Sequence, residues 1–157
     1  MQPCILYIED NQNDILFLEF AFKEAGISHP LKVVRNGQRA LEYLSGTGPF
    51  ADREWNPLPC LILLDINLPE KSGFEVLEWI RQQPGIKSLP VLMLTASSHP
   101  KDIERTRRLA ANDYVVKPLG FAEFVQLIKT MRDRWLMPPP AAPNRTKHVP
   151  ARTMLNA

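Results

Sequence analysis

A short apolar segment recurs five times along this chain, and segments with helical periodicity separate the copies. The clearest copy covers residues 60–64, which are bounded by Pro59 and by the carboxylate of Asp65. A run of this length and composition is typical of a strand that is buried on both faces of a sheet. The other predicted strands cover residues 4–8, 31–35, 90–95 and 114–116.

The segments between these strands determine the direction of the sheet. Apolar residues such as Ile15, Leu18 and Phe22 recur at helical spacing after the first strand. A strand–helix order repeated five times predicts a parallel sheet with right-handed crossovers and helices on both faces. The sequence therefore predicts a doubly wound, five-stranded, flavodoxin-like α/β fold with strand order 2-1-3-4-5. The predicted helices start at Asn11 or Asn13 and at Gly37, and then cover residues 73–83, 101–111 and 120–135.

Length and composition favour one folded domain. The chain has 157 residues, of which 45% are hydrophobic, and this suffices for one sizeable core. Residues 1–137 are predicted to form this domain, whereas the proline-rich, basic residues 138–157 are predicted to be disordered. Between the second helix and the third strand, residues 45–59 form a long loop that is either functional or a surface insertion.

The distribution of charge and of apolar residues excludes some partners. No apolar run approaches the roughly 20 residues of a membrane span, and no basic segment precedes one, so we expect a cytoplasmic protein. The net charge is +2, but residues 138–157 contain three basic residues and no acidic one. Residues 1–137 therefore carry 16 basic and 17 acidic side chains, or a net charge of −1. A nearly neutral domain does not indicate a nucleic-acid partner.

Charged and hydroxyl side chains follow four of the five predicted strands. They are Glu9 with Asp10, then Asp65, Thr95 and Lys117. Because the carboxyl ends of parallel strands meet at the same edge of a sheet, we expect these side chains to converge. Two carboxylates about 5 Å apart repel by roughly 3 kcal/mol at an effective dielectric constant near 20. Three of them together require a cation or a raised pKa.

The chemical types in this cluster indicate a phosphoryl site. Hard carboxylate oxygens with room for water suit Mg²⁺ better than a transition metal. Lys117 would add a positive charge and Thr95 a hydroxyl donor beside the same point. This combination predicts a dianionic phosphoryl group held between metal and ammonium, with a carboxylate as the nucleophile.

The same residues carry a resemblance to a known family. From residue 4 to about residue 136 the chain resembles a two-component response regulator receiver domain. The motif consists of Glu9-Asp10, Asp65, Leu68-Pro69, Gly73, Thr95-Ala96, Tyr114 and Lys117-Pro118. The long loop before the third strand, the Glu-Asp pair and the lack of an output domain make it similar to stand-alone regulators paired with cyanobacterial-type phytochrome histidine kinases.

The resemblance implies a reaction and a ligand set. Asp65 would accept a phosphoryl group from a sensor histidine kinase, such as a phytochrome. The protein would then be a signalling phosphoacceptor and not an enzyme, apart from its own self-phosphorylation and autodephosphorylation. The metal, Mg²⁺ or Mn²⁺, would be bound by Glu9, Asp10, Asp65 and the backbone carbonyl of Asn67. The phosphoryl contacts would be Asn67, Ala96 and Lys117.

The resemblance also implies a switch. Thr95 would move toward the phosphoryl group and Tyr114 would follow it inward, which would pass the signal to the fourth helix, fifth strand and fifth helix. The bond between Lys117 and Pro118 would be cis. One residue departs from the pattern of the wider family, since Glu9 stands where Asp is usual.

The fifth helix predicts a homodimer that uses this same surface of fourth helix, fifth strand and fifth helix. Its apolar arc is about 180° wide, whereas a helix buried on one side needs roughly 100°. Residues expected to face the sheet are Phe124, Ile128, Met131 and Trp135. The flanks Val125, Leu127 and Leu136 would contact the second copy or pack under neighbouring helices. Arg132 would snorkel or form an interface ion pair.

Other protein classes fit the residues less well. A haloacid-dehalogenase-type phosphatase resembles this pattern but needs a second acid two residues after the nucleophile, where this chain has Asn67. In a flavin-binding flavodoxin the first loop binds phosphate, which Glu9 and Asp10 would repel. A DNA-binding regulator would need a helix-turn-helix domain after residue 137. The remaining alternative is an interaction module of the same fold that acts as a phosphate sink or as a phosphorylation-independent adaptor.

Overall fold

The computed structural model describes residues 2–137, and five parallel strands form its centre. They are β1 (Ile5–Ile8), β2 (Leu31–Val34), β3 (Leu61–Leu64), β4 (Val91–Thr95) and β5 (Asp113–Val116). Their order in the sheet is β2-β1-β3-β4-β5, and all neighbours are parallel, which confirms the predicted fold. Every residue of β1, β3 and β4 is buried, as expected for strands covered on both faces.

Five helices cover the two faces of this sheet. They are α1 (Gln12–Glu24), α2 (Gly37–Ser45), α3 (Gly73–Gln82), α4 (Pro100–Arg108) and α5 (Phe121–Met131). One core lies between the sheet and helices α1 and α5, and a second lies between the sheet and helices α2 and α3. Within residues 2–137, no helix combines the length and the apolar character needed to cross a membrane.

Side-chain caps fix where the helices begin. Asn11 accepts a hydrogen bond from the backbone N–H of Asp14 at 3.0 Å, so the first helix is capped by Asn11 and not by Asn13. Ser72 and Glu75 form a reciprocal capping box at the start of α3. The α3 cap immediately follows the loop after β3, so it also fixes the backbone beside Asp65.

Two predicted helix ends and one predicted peptide-bond isomer differ in the structure. α4 ends at Arg108 and not at residue 111, because Ala110 adopts a left-handed conformation with φ of 67° that breaks the helix. α5 ends at Met131, and Arg132–Leu136 continues it as a single π-helical turn. The Lys117–Pro118 bond is trans, since the described residues contain no cis peptide bond, so the expected cis bond was wrong. Trans is the isomer that an X–Pro bond prefers by about 0.5–1 kcal/mol.

The fifth helix buries the predicted face. Phe124, Ile128 and Met131 are buried. Trp135, the fourth residue of that face, is only half-buried against the same core, as are the flanking residues Val125, Leu127 and Leu136. Within the chain, the guanidinium of Arg132 donates to the backbone carbonyl of Ala25, which follows the end of α1, and to Asp133. The wide apolar arc is therefore used partly within the fold.

The long loop before β3 is held to the end of α2 by one arginine. The guanidinium of Arg53 donates to the backbone carbonyls of Tyr43 at 2.7 Å, Leu44 at 2.7 Å and Asn56 at 2.9 Å. The first two carbonyls belong to the last turn of α2, where carbonyls lack an i+4 donor, and that of Tyr43 also accepts from the backbone N–H of Gly46 at 3.2 Å. A single side chain thus caps the helix and orders the loop.

We expect Arg53→Met to lower the free energy of unfolding by about 1–3 kcal/mol, because it leaves several carbonyls without their charged donor. The matched control is Arg39→Met, which removes only a partly exposed ion pair with Glu42 and should cost less than about 1 kcal/mol. Urea unfolding measures both values. Equal losses in the two variants would contradict the role assigned to Arg53.

Candidate functional site

The carboxyl ends of the strands bring the predicted polar side chains to one edge of the sheet. Ile8 pairs with Leu64 in the β1–β3 register, so Glu9 and Asp65 leave neighbouring strands at the same level. Carboxylate oxygens of Glu9, Asp10 and Asp65 all lie within 4.8 Å of one another. Glu9 and Asp65 are buried, whereas Asp10 is exposed. The three acids therefore form a cluster that opens to solvent on one side.

Lys117 is the cation at this cluster. Its ammonium donates to Oε1 of Glu9, to Oδ2 of Asp14 at 3.0 Å and to Oδ2 of Asp65 at 3.3 Å. Its side chain is only 11% exposed. Burial acts to lower the pKa of Lys117, but the hydrogen bond to Glu9 and the charge of Asp65 raise that pKa above its ordinary value. Lys117 is therefore held as a cation among acids.

Asp14 is a member of the cluster that sequence reasoning missed. It lies in the first turn of α1 and not at a strand end, so the search of strand ends did not include it. The position of the helix start could have predicted it. The N-cap of α1 is Asn11, which directly follows Glu9-Asp10, and Asp14 lies three residues later in the first turn. Acidic side chains are common in the first turn of a helix, and this one is also an ion-pair partner.

Glu9 is the most enclosed of the acids. Its Oε1 accepts from the hydroxyl of Tyr7 at 3.2 Å, and its Oε2 accepts from the backbone N–H groups of Asp10 at 3.0 Å and Asn11 at 3.3 Å. Burial raises the pKa of Glu9 to about 7 in spite of the opposing effect of Lys117. Burial also raises the pKa of Tyr7, and the neighbouring Glu9 adds to that rise. Sequence reasoning had placed Tyr7 only in the core, because a hydroxyl at the end of a buried side chain gives no periodic signal.

Asp65 is fixed through its own backbone and through α3. Its Oδ1 accepts from the backbone N–H of Ile66 at 2.7 Å. A Cβ atom added to Gly73 would lie 2.1 Å from the backbone oxygen of Asp65, so only glycine allows α3 to start here. A Cβ atom added to Gly37, at the start of α2, would likewise lie 2.1 Å from the backbone oxygen of Lys71. Two helix starts therefore press against the loop that follows Asp65.

The other side of the site contains an unsatisfied hydroxyl. Thr95 is fully buried, and its Oγ1 has no hydrogen-bond partner among the described residues. The Tyr114 hydroxyl donates to the backbone carbonyl of Ser97 at 2.7 Å, and this hydroxyl makes no hydrogen bond to Thr95. Asn67 and Ala96 are exposed near the starts of the loops after β3 and β4. These residues border the acids without contacting them by hydrogen bonds.

The donor set fits a hard divalent cation. Three carboxylates supply oxygen ligands within reach of one point, and the exposed Asp10 leaves room for water. Burial is the main cause of the raised pKa of Glu9, and the charge of Asp65 adds to it. Glu9, Asp10 and Asp65 are thus suited to bind Mg²⁺ or Mn²⁺.

Comparisons with known proteins agree with this geometry. The sequence matches the family model of the response regulator receiver domain over residues 5–129. It is 35% identical to response regulator Rcp1 of Synechocystis sp. over 132 residues, which are 84% of this chain and 88% of that protein.

Solved structures give the same result. The phosphorylated cyanobacterial phytochrome response regulator RcpA superposes with a TM-score of 0.80 at 34% identity, over 87% of this chain and 95% of that one. The Mn²⁺-bound form of response regulator Rcp1 superposes with a TM-score of 0.78 at 34% identity, over 88% and 99% of the two chains.

The raised pKa of Glu9 predicts a stability that depends on pH in metal-free protein. Between about pH 4.5 and about pH 7 the folded chain retains a proton that the unfolded chain has released, so stability falls as pH rises. The side chain introduced by Glu9→Gln does not titrate. The variant should therefore lack the contribution of Glu9 to the fall in unfolding free energy with pH, which is at most about 3 kcal/mol. Urea unfolding in EDTA across this range measures the difference.

The control for this experiment is Glu19→Gln, because Glu19 is an exposed acid on α1. It should leave the pH profile unchanged. Saturating Mg²⁺ should stabilise the wild type most at high pH, where Glu9 is ionised. Parallel profiles for wild type and Glu9→Gln would show that burial does not control this carboxyl.

Proposed function

This chain belongs to the response regulator receiver domain family, and from that premise we propose that it accepts a phosphoryl group on Asp65 from a histidine kinase. Receiver domains are signalling proteins and generally not enzymes, and we assign residues 1–137 to one such domain. The observation that carries the proposal is the position of the Lys117 ammonium, which faces Asp65 Oδ2 at 3.3 Å beside the acidic cluster. Residues 138–157, which were predicted to be disordered, lie outside the described residues.

The chemistry of transfer follows from this arrangement. A carboxylate oxygen of Asp65 attacks the phosphorus of the donor phosphohistidine, so that an O–P bond forms as the N–P bond breaks. Lys117 provides a fixed positive charge for the phosphoryl oxygens, and the backbone N–H of Ala96 and the Asn67 side chain border the same space. Mg²⁺, when held by Glu9, Asp10, Asp65 and the Asn67 carbonyl, would neutralise negative charge on the transferred group.

Thr95 and Tyr114 are suited to report the presence of the phosphoryl group. The Thr95 hydroxyl is buried without a partner, so a phosphoryl oxygen within its reach would gain a donor at no cost in existing hydrogen bonds. Tyr114 is anchored on the carbonyl of Ser97, which belongs to the loop that follows Thr95. Movement of Thr95 would therefore displace the support of Tyr114 and reach α4 and β5.

An exposed apolar surface beside the site supports a protein partner as the phosphoryl donor. Leu16 and Phe20 project from α1, and Leu119 and Phe121 project from the segment after Lys117. Phe121 packs on Phe17 with ring centroids 5.0 Å apart, so the two segments form one continuous surface. Since similar proteins include cyanobacterial phytochrome regulators, we propose a phytochrome-type kinase as the donor and a cytoplasmic location for the exchange.

We also propose that the chain forms a homodimer through α4, β5 and α5. The flanks of α5 are half-buried within the fold, so the contact must rest mainly on other residues. Ile103 on α4 and Val116 on β5 are exposed apolar side chains on this surface. Their position next to Tyr114 would couple dimerisation to phosphorylation.

Phosphorylation is tested with acetyl phosphate, followed by intact mass and peptide mapping. We expect Mg²⁺-dependent addition of one phosphoryl group to Asp65, no addition to Asp65→Asn, and about 10²-fold slower addition to Lys117→Met, which lacks the charged donor. Asp14→Asn is the control, because it removes a different carboxylate from Lys117 and should leave Asp65 as the acceptor. Label on Asp14, Asp10 or Glu9 would refute the assignment.

The homodimer is tested by sedimentation velocity with and without beryllofluoride and Mg²⁺. We expect the combined variant Ile103→Glu and Val116→Glu to be monomeric at concentrations where the wild type self-associates, since two charges would be buried at the contact. Leu16→Glu, an exposed apolar position on α1, serves as the control and should remain dimeric. A wild type that stays monomeric under both conditions would exclude this dimer.

A further inference from the structure

The loop of residues 46–59, here the α2–β3 loop, has a fixed conformation and lies at the amino ends of the strands, opposite the acidic cluster. Besides the contacts of Arg53, the Tyr43 hydroxyl donates to the carbonyl of Pro57 at 2.9 Å. The ring of Phe50 packs on Tyr43 with centroids 5.2 Å apart. The backbone N–H of Asn56 donates to the carbonyl of Asp52 at 2.9 Å and closes a turn. The conformation of this loop is therefore set by the fold.

This loop presents apolar side chains to solvent. Trp55 is 73% exposed and Leu58 is 44% exposed, although neighbouring Pro59 and Phe50 pack inward. Because most of the Trp55 ring is exposed, it contributes little buried apolar surface to the stability of the fold. Trp is strongly enriched among the residues that dominate protein interfaces, because its large rigid surface loses little entropy on binding.

Two acidic residues lie close to Trp55 in sequence. Asp52 and Glu54 precede it by three residues and by one residue, both are exposed, and Asp52 accepts from the backbone N–H of Glu54 at 3.0 Å. Arg53 is the one cationic residue in this segment, and its guanidinium is directed inward to three backbone carbonyls. The exposed tip thus combines an aromatic face with two carboxylates.

We propose that the α2–β3 loop is a docking site for a basic segment of a partner protein. An arginine of that segment stacks on the ring of Trp55 and pairs with Asp52 and Glu54, because a guanidinium suits both an aromatic face and carboxylates. An apolar residue next to that arginine packs on Leu58. The carboxylates reject acidic segments, so the site selects by charge as well as by shape.

The position of the loop gives this contact a distinct role. The loop leads into β3 and Asp65 follows β3, so the two sites lie at opposite ends of the same strand. Asp65 lies six positions after Pro59, which corresponds to roughly 20 Å of extended chain. A partner bound to the loop leaves the acidic edge open, and the protein can hold this partner whether or not Asp65 is phosphorylated.

The test uses the full-length, ¹⁵N-labelled chain and a synthetic heptapeptide in which arginine and leucine alternate. Its twin with citrulline in place of arginine has the same shape without charge. We expect the indole N–H signal of Trp55, assigned with Trp55→Phe, to shift saturably with the arginine peptide and little with the twin. Trp55→Ala should weaken binding by about tenfold or more, which is the effect expected from losing the stacking surface.

Further variants separate the proposed contact from general adhesion. The pair Asp52→Asn and Glu54→Gln should weaken binding several-fold at low ionic strength and reduce its salt dependence. Phe20→Ala, which removes an aromatic ring that is 57% exposed on α1, should bind as the wild type does. Beryllofluoride with Mg²⁺ should leave the affinity unchanged, because it acts at the other end of β3.

Four outcomes would overturn the proposal. They are peptide-induced shifts centred on Glu9 and Asp65, equal binding of the citrulline twin, equal weakening by Phe20→Ala, and loss of binding on addition of beryllofluoride. Sedimentation of the wild type and of Trp55→Ala without peptide identifies one more. If the Trp55 substitution alone abolishes self-association, the occupant is a second copy of this chain and not a basic partner segment.

Discussion

The ion pairs of Lys117 hold together an edge of the sheet that would otherwise repel itself. One ammonium contacts carboxylates from β1, α1 and the end of β3, and it arrives from β5, which is not adjacent to β1 or β3. Ion pairs therefore connect the end of β5 to the ends of β1 and β3, with which β5 forms no backbone hydrogen bonds. Removing either sign leaves buried charge without a partner, which is costly in a protein interior.

Glu9 shows what this arrangement costs. It is fully buried and accepts hydrogen bonds from Tyr7 and from two backbone N–H groups, yet burial raises the pKa of its carboxyl to about 7. The Glu9 side chain reaches both Tyr7 and Lys117. Burial and, less strongly, the charge of Asp65 disfavour its ionised form, so a cation bound beside Glu9 would stabilise that form.

The parts that the sequence predicted are those with a periodic or positional signal. Strand order followed from five alternations of apolar runs and helical patterns, and the family was evident from Asp65, Thr95 and Lys117 at strand ends. Contacts that depend on the tip of a side chain had no such signal. Arg132 contacts the carbonyl of Ala25, just after α1, which lies 107 residues away in sequence. Asp14 was missed for another reason, because it lies in the first turn of a helix and not at a strand end. The trans bond at Pro118 was likewise invisible, because both isomers have the same sequence.

The two glycine contacts around the loop after β3 make the site unequally stiff. Gly73 and Gly37 bring the starts of α3 and α2 against the backbone of Asp65 and Lys71, where even a methyl group would not fit. This wall cannot yield when a bulky group is attached to Asp65. The opposite wall contains Thr95, whose hydroxyl is bound to nothing described, and a loop anchored through one tyrosine hydroxyl. A group attached to Asp65 would therefore displace Thr95 and its loop more easily than the starts of α2 and α3. Packing alone thus favours one direction for the structural response.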